Sequence, residues 1–206
     1  MAPESPGARD HRQHLQVRHN PEGTPVTLSD THRQYLLDHA ITDETIDSQP
    51  IRSEGDEIVF TWTDGGLVTD QRRPWPGESG VYFWEADKDL HFWTLTDAGP
   101  DSPILLVEGT KQSLAAASHA LAGFTVMGMP GCWGWSKAKL GRFKGRRVYL
   151  CLDADAGSNL DVFEAGEKLG EKLKRYGVQL QYLRIPGSGS QGLDDYLASL
   201  DEDERI

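Results

Sequence analysis

The sequence predicts an α/β fold: a mainly parallel four-stranded sheet flanked by helices, with a small amino-terminal α+β unit in front of it. Three observations carry this reading. In the second half of the chain, short apolar runs alternate with helical segments, the pattern of β-α units joined by right-handed crossovers. Between residues 57 and 94, aromatic-rich runs (EIVFTW, GGLVT, GVYFW, LHFWTL) are separated by Asp, Gly, Pro and Lys-Asp turns, as in a small β-rich unit. Finally, two apolar runs end abruptly in acids, Glu108 after ILLV and Asp153 with Asp155 after VYLCL. Ligands of open α/β sheets bind beyond the carboxyl ends of the strands, where these acids stand.

Residues 1–27 are rich in Pro, Gly, His, Arg and Glu and lack an apolar period, so they read as a disordered lead-in. His11, His14 and His19 belong to that polar tail and are not read as a metal site. Order is expected to begin at Ser29 or Asp30, either of which can cap a helix carrying Tyr35, Leu36 and Leu37; a second short helix follows Thr42. Residues 28–100 form the β-rich unit. Its Trp62, Trp75, Trp84 and Trp93 have the chemistry of a base-stacking platform, but the core of a small sheet is the preferred reading. Arg72 and Arg73, in QRRPWPG, are a candidate phosphate contact, although a merely exposed loop is the preferred reading.

The α/β unit occupies residues 101–206. A buried strand is expected at 104–107, an Ala-rich helix at 111–121 stopped by Gly123, and a second strand at 124–127. A loop with Gly and Trp leads to the third strand at Val148, whose unbroken apolar run suits burial on both faces. Asn159 can cap a helix in which Val162, Phe163, Gly166, Leu169, Leu173 and Tyr176 recur at helical spacing, with Gly177 ending it. A fourth strand at 178–185 and a closing helix at 193–200, opened by Asp194 and Asp195, complete the unit.

At 206 residues the chain can bury a real core. No apolar stretch approaches a membrane span and the amino terminus lacks a signal peptide's apolar segment, so a cytoplasmic chain without membrane contact is expected. Cys132 and Cys151 belong to no C-x-x-C pair and read as reduced, buried, small apolar residues. A net charge of −11 argues against a phosphate-binding surface all round. Nevertheless Lys137, Lys139, Arg142, Lys144, Arg146 and Arg147 follow one another with no acid among them, while the chain ends in the acidic DEDERI. A basic nucleic-acid-binding face and a merely solvated segment both fit this pattern.

In an extended backbone residues i and i+2 point the same way, so Asp153 and Asp155 would converge. Two carboxylates held that close repel unless a proton or cation lies between them, and hard divalent ions such as Mg2+ take oxygen ligands. An Asp-rich strand end that merely caps the next helix is the plainer alternative, since D-x-D alone is a weak signal. Gly109 lets the backbone turn tightly behind Glu108 and allows a phosphate to approach; Lys111, just after it, could neutralise that phosphate. Glu108 could serve as a third metal ligand or as a general acid/base. The chain has no G-x-x-x-x-G-K-[ST] loop, no G-x-S-x-G and no zinc-ligand cluster to support a rival chemistry.

ILLVEG followed by VYLCLDADAG resembles the Toprim domain shared by bacterial-type primases, topoisomerases and certain nucleases, over residues 103–200. EGTK, GCWGW and GLDDYL bring the resemblance closer to Toprim-like domains of plasmid, phage and mobile-element replication proteins. The resemblance implies Mg2+- or Mn2+-dependent nucleotidyl or phosphoryl transfer on nucleic acid, foremost primase-like activity. A nuclease and a binding module without turnover are the alternatives. It implies Glu108 as acid/base and as a metal ligand, with Asp153 and Asp155 holding the ion. Asp195 is a further candidate ligand, whereas Asp194 reads rather as a helix cap. Many relatives of this kind have an acid where this chain has Gln112, so the support that acid gives is expected to be missing. Single-stranded DNA or RNA, and a replicative helicase or other replication protein supplied in trans, are the implied partners.

Overall fold

The computed structural model describes residues 27–74, 82–120, 122–187 and 189–205. The expected lead-in up to residue 26, with its three histidines, and Trp75 lie outside the described residues. Helix α1 (Asp30–Leu37) begins at Ser29, whose side chain accepts the His32 N–H at 3.2 Å. Helix α2 (Asp43–Ser48) is capped in the same way by Thr42.

Strands β1 (Ile51–Glu54), β2 (Glu57–Asp64), β3 (Leu67–Pro74) and β4 (Phe83–Trp84) form an antiparallel sheet in sequential order. The β2–β3 hairpin turns on Gly65 and Gly66, both with positive φ, a conformation that suits glycine. The polar IRSE of β1 carries no apolar signal, yet it pairs with β2 along its whole length.

The second sheet has five strands in the order β5-β7-β6-β8-β9: β5 (Trp93–Thr94), β6 (Ile104–Glu108), β7 (Thr125–Met129), β8 (Arg147–Cys151) and β9 (Gln179–Leu183). β6 to β9 pair in parallel, as the alternation of strands and helices implies. The two residues of β5 add an antiparallel edge strand, so LHFWTL joins this sheet instead of the amino-terminal one. The reason is the burial of β7, which is complete at all five residues; its outer backbone edge needs a partner, and β5 supplies one.

Each face of the parallel sheet has its own core. On one face, Leu114 and Ala115 of helix α3 (Thr110–His119) pack with Val107, Val126 and with Ile58, Phe60 and Trp62 from the first sheet. On the other, Val162, Leu169 and Leu173 of helix α4 (Leu160–Lys174) cover Ile104, Leu106 and Leu150, together with Trp135, Leu140 and Phe143. Trp62 and Trp93 are fully buried 5.3 Å apart, and Trp84 meets Trp62 edge-on at 4.9 Å, so these three belong to the core. Phe163 and Tyr176 depart from the expected helix face, being 52% and 40% exposed. Phe163 stands one position, about 100° of helix rotation, away from Val162, and Tyr176 lies past the helix end. Gly166 and Gly170 let α4 approach Leu152 and Tyr182 closely. Helix α5 (Leu193–Ala198) closes the chain against α3. Cys151 is buried as expected, whereas Cys132 is only half-buried; both are free thiols.

Candidate active site

β6 and β8 are hydrogen-bonded neighbours, with Val107 opposite Cys151, so their carboxyl ends deliver Glu108 and the D-x-D to the same edge of the sheet. Glu108 is buried at 9% exposure, and its Oε2 has no hydrogen-bond partner among the described residues. Burial, followed by the nearby charge of Asp153, pushes its carboxyl up to about 7; Asp155 adds to the rise, while the backbone N–H groups of Cys132 and Asp153 oppose it.

The D-x-D is not extended. Asp153 keeps a strand-like backbone, but residues Ala154–Gly157 form a 3-10 turn in which the Asp155 carbonyl accepts the N–H groups of Ser158 and Asn159, both at 2.7 Å. The two carboxylates still act on one another: burial and then the charges of Asp155, Asp194 and Asp195 raise Asp153, against a lowering hydrogen bond from Gln112. Asp155 accepts Asn159 Nδ2 on one oxygen at 3.0 Å and leaves its buried Oδ1 unpartnered among the described residues.

Gly109 turns the chain from β6 into α3 with φ at 79°, where a side chain would be strained. Two residues on, Lys111 is committed to Asp194, at 2.9 Å, with both side chains largely buried. Asp194 is therefore an ion-pair partner and not the cap. The capping contact comes from Asp195, whose carboxylate accepts the Gly192 N–H at 3.3 Å. Asp194, Asp195 and His39 place one ligand-capable atom each within 4.8 Å of one another, the group of metal-ligating type that the described residues contain. His39 reaches it from just beyond α1, with its Nδ1 2.8 Å from the Tyr35 carbonyl.

Gln112 is the site residue that sequence reasoning missed. Its Nε2 donates to Asp153 Oδ1 at 2.5 Å and its Oε1 accepts the Leu193 N–H at 3.0 Å, so one amide ties the D-x-D to the start of α5. A carboxylate can only accept, and would supply just one half of this bridge. The support expected to be missing is thus replaced by support of a different kind. Gly192 is drawn tight against it: a Cβ there would stand 2.6 Å from Asp194 Oδ1 and 2.7 Å from Gln112 Cδ.

The expected phosphate-binding cations divide in two. Arg72 pairs with Glu54 and Glu57, and Arg73 lies over the rings of Tyr35 and Tyr82. Arg142 pairs with Asp64, and Arg146 donates to the carbonyls of Gly99 and Ser102, pinning the start of β8 to the loop before β6. Lys137, Lys139, Lys144 and Arg147 are exposed and form no ion pair among the described residues. No helix is long and apolar enough to cross a membrane among the described residues.

A family model described as a domain of unknown function, DUF3854, matches residues 92–204, more than half of the chain. The chain belongs to the DUF3854 family. The matched part takes in β5 to α5 and with them Glu108, the D-x-D, Gln112 and the Asp194–Asp195 pair. No curated protein matches the sequence. Among solved structures, this DUF3854 chain is similar to the DnaG catalytic core, at 15% identity and a TM-score of 0.60, over 82% of this chain and 68% of that one. It is also similar to the zinc-binding and RNA polymerase domains of the Aquifex aeolicus primase, at 14% identity and a TM-score of 0.59, over 85% of this chain and 54% of that one. The chain thus spans about two thirds of the first structure and about half of the second, and the likeness establishes a primase-core type of fold.

Proposed function

We propose that this DUF3854 chain is a divalent-cation-dependent nucleotidyl or phosphoryl transferase acting on nucleic acid, of primase-like type. The observation that supports this most is the buried Glu108 carboxyl, whose Oε2 has no hydrogen-bond partner among the described residues, facing Asp153 and Asp155 at the ends of two adjacent parallel strands. Glu108 Oε2 and Asp155 Oδ1 are buried carboxylate oxygens without a donor or cation among the described residues, a costly arrangement that an ion relieves. All the donors are hard oxygens, which fits Mg2+ or Mn2+. Asp153 and Asp155 would hold the ion, with Glu108 a third ligand or the acid/base. Such an ion supplies charge neutralisation on phosphoryl oxygens. Asp195 remains a candidate for the edge of this acidic group.

The protein's own residues do the remaining work. Gln112 orients Asp153, Asn159 orients Asp155, and Gly109 clears space beside Glu108. As the acid/base, Glu108 would take the proton of an attacking hydroxyl, and burial, which favours its protonated form, suits it to accept that proton. In this reading residues 101–206 carry the chemistry, while residues 28–100 brace them through the core that Ile58, Phe60 and Trp62 share with Val107, Leu114 and Val126. Lys137, Lys139, Lys144 and Arg147 guide a single strand across the domain. The resemblance of the EGTK, GCWGW and GLDDYL segments supports a setting in phage, plasmid or mobile-element DNA replication, with partner proteins in trans.

The test is incubation of the purified protein with end-labelled single-stranded DNA, nucleotides and Mg2+, beside Glu108→Gln. New short products made by the wild type alone support the proposal. Template shortening that needs Glu108 reassigns the same acids to a nuclease, and binding without either product reduces the chain to a module.

A further inference from the structure

A pocket of about 380 Å³ opens beside Glu108, between the segment Lys88, Asp89, Leu90 and the loop that leaves β7. That volume lies within the range of small-molecule sites, roughly 300–1,000 Å³. Its link to the acids is Cys132, which lines the pocket and whose backbone N–H acts on the Glu108 carboxylate.

Both walls are held in place. The buried His91 spans two carbonyls, with Nδ1 3.0 Å from Asp89 O and Nε2 3.2 Å from Trp62 O, and so fixes the first wall to the core. The second wall is a tight turn: the Gly134 N–H donates to Gly131 O at 3.0 Å, and a Cβ at Gly134 would meet the Pro130 ring. On that turn stands Trp133, 39% exposed in a chain whose Trp62, Trp93 and Trp135 are buried. Its ring stacks near Trp135 at 6.0 Å, and the Lys168 ammonium lies over it at 4.9 Å. Lys88 and Lys137 line the same pocket, with Asp89 as its acid.

An exposed aromatic ring with cations around it is the chemistry that receives a nucleobase and its phosphate. We propose that this pocket is a nucleobase-and-phosphate subsite: the base lies on Trp133, the phosphate meets Lys88 and Lys137, and Asp89 accepts from a base amino group or a sugar hydroxyl. The assignment to substrate, as opposed to mere binding, rests on the catalytic reading above. The same chemistry arises from a free nucleotide or from one residue of a single strand.

Binding is measured without metal, in EDTA, using ATP and a ten-residue oligo-dT as probes and inorganic triphosphate as the control. Trp133→Ala should weaken ATP or oligo-dT about 5- to 150-fold, the span of base–aromatic stacking on truncation, and leave triphosphate unchanged. Trp133→Phe, which keeps a ring, should recover most of the loss, and Lys137→Gln should weaken all phosphate-bearing probes. Loss confined to ATP identifies a free nucleotide, and loss confined to oligo-dT identifies the strand. Equal binding by wild type and Trp133→Ala, or no binding of either probe by the wild type, overturns the subsite. Product formation that survives with Trp133→Ala binding normally sinks the subsite alone. Trp133-dependent binding by a protein that makes no product sinks the catalytic reading and leaves the subsite.

Discussion

Replacing Glu108 with Gln should stabilise the metal-free protein above neutral pH, the reverse of what most substitutions of a buried residue do. The folded protein holds this carboxyl at about 7, against an ordinary value of 4.5, through burial first and Asp153 next. Below pH 4.5 the group is protonated whether the chain is folded or not, and Glu and Gln should be nearly equivalent. Between 4.5 and 7 the unfolded chain gives up the proton and the folded one keeps it, so wild-type stability falls as pH rises. Above 7 the full difference applies, about 3 kcal/mol for that gap. For a chain of this length it corresponds to roughly 6–12 °C in melting temperature. Thermal melts of both proteins in EDTA from about pH 4.5 to 8.5 measure it as the difference between two curves, in which the titrating groups remote from Glu108 cancel. Saturating Mg2+ should then raise the wild type and close the gap. A variant no more stable than wild type at about pH 8, or a gap that is the same at about pH 4.5, would refute the picture of a buried carboxylate waiting for a cation.

Other outcomes follow from the same geometry. Gln112→Glu replaces a donor to Asp153 with a like charge; it should cost about 1–3 kcal/mol by denaturant unfolding and abolish product formation. Gly192→Ala drives a methyl against Gln112 and Asp194, and should lower stability by about 1–3 kcal/mol in the same assay. Lys144→Gln with Arg147→Gln should leave the melting temperature within about 1–2 °C of wild type, since exposed, unpaired groups contribute little. The double variant should also flatten the salt dependence of single-strand binding, by about 0.7 in slope for each phosphate no longer neutralised. Arg146→Gln should instead destabilise in thermal melts, because it releases the carbonyls of Gly99 and Ser102.

What the sequence made legible was local. ILLV and VYLCL read as buried parallel strands because nothing polar interrupts them, and their final acids could be placed at one edge of a sheet from topology alone. Ser29 and Asn159 read as caps because a cap is an interaction over two or three residues. What escaped was decided by partners distant in sequence. β1 is a strand because β2 needs a neighbour, not because IRSE prefers to be extended. β5 leaves the first sheet because β7 is open on its outer edge. Arg142 and Arg146 looked like members of a basic stretch, but Asp64 and the carbonyls of Gly99 and Ser102 claim them across the fold. Gln112 showed only that an acid was missing; that its amide bridges Asp153 to Leu193 depends on a backbone 81 residues away. The exchange of roles between Asp194 and Asp195 has the same origin, since Lys111 approaches only one of them.

Every catalytic step proposed for this fold depends on Asp153 and Asp155 holding a divalent cation beside Glu108. Calorimetric titration of Mg2+ into the wild type and into Asp155→Asn isolates that property from turnover. Asn keeps the size of the side chain and removes the charge that leaves Oδ1 buried without a partner among the described residues. Saturable binding to the wild type is expected, weakened at least about tenfold in the variant, equivalent to about 1.4 kcal/mol. Indistinguishable Mg2+ binding by the two proteins, or none by the wild type, would rule the shared cation site out.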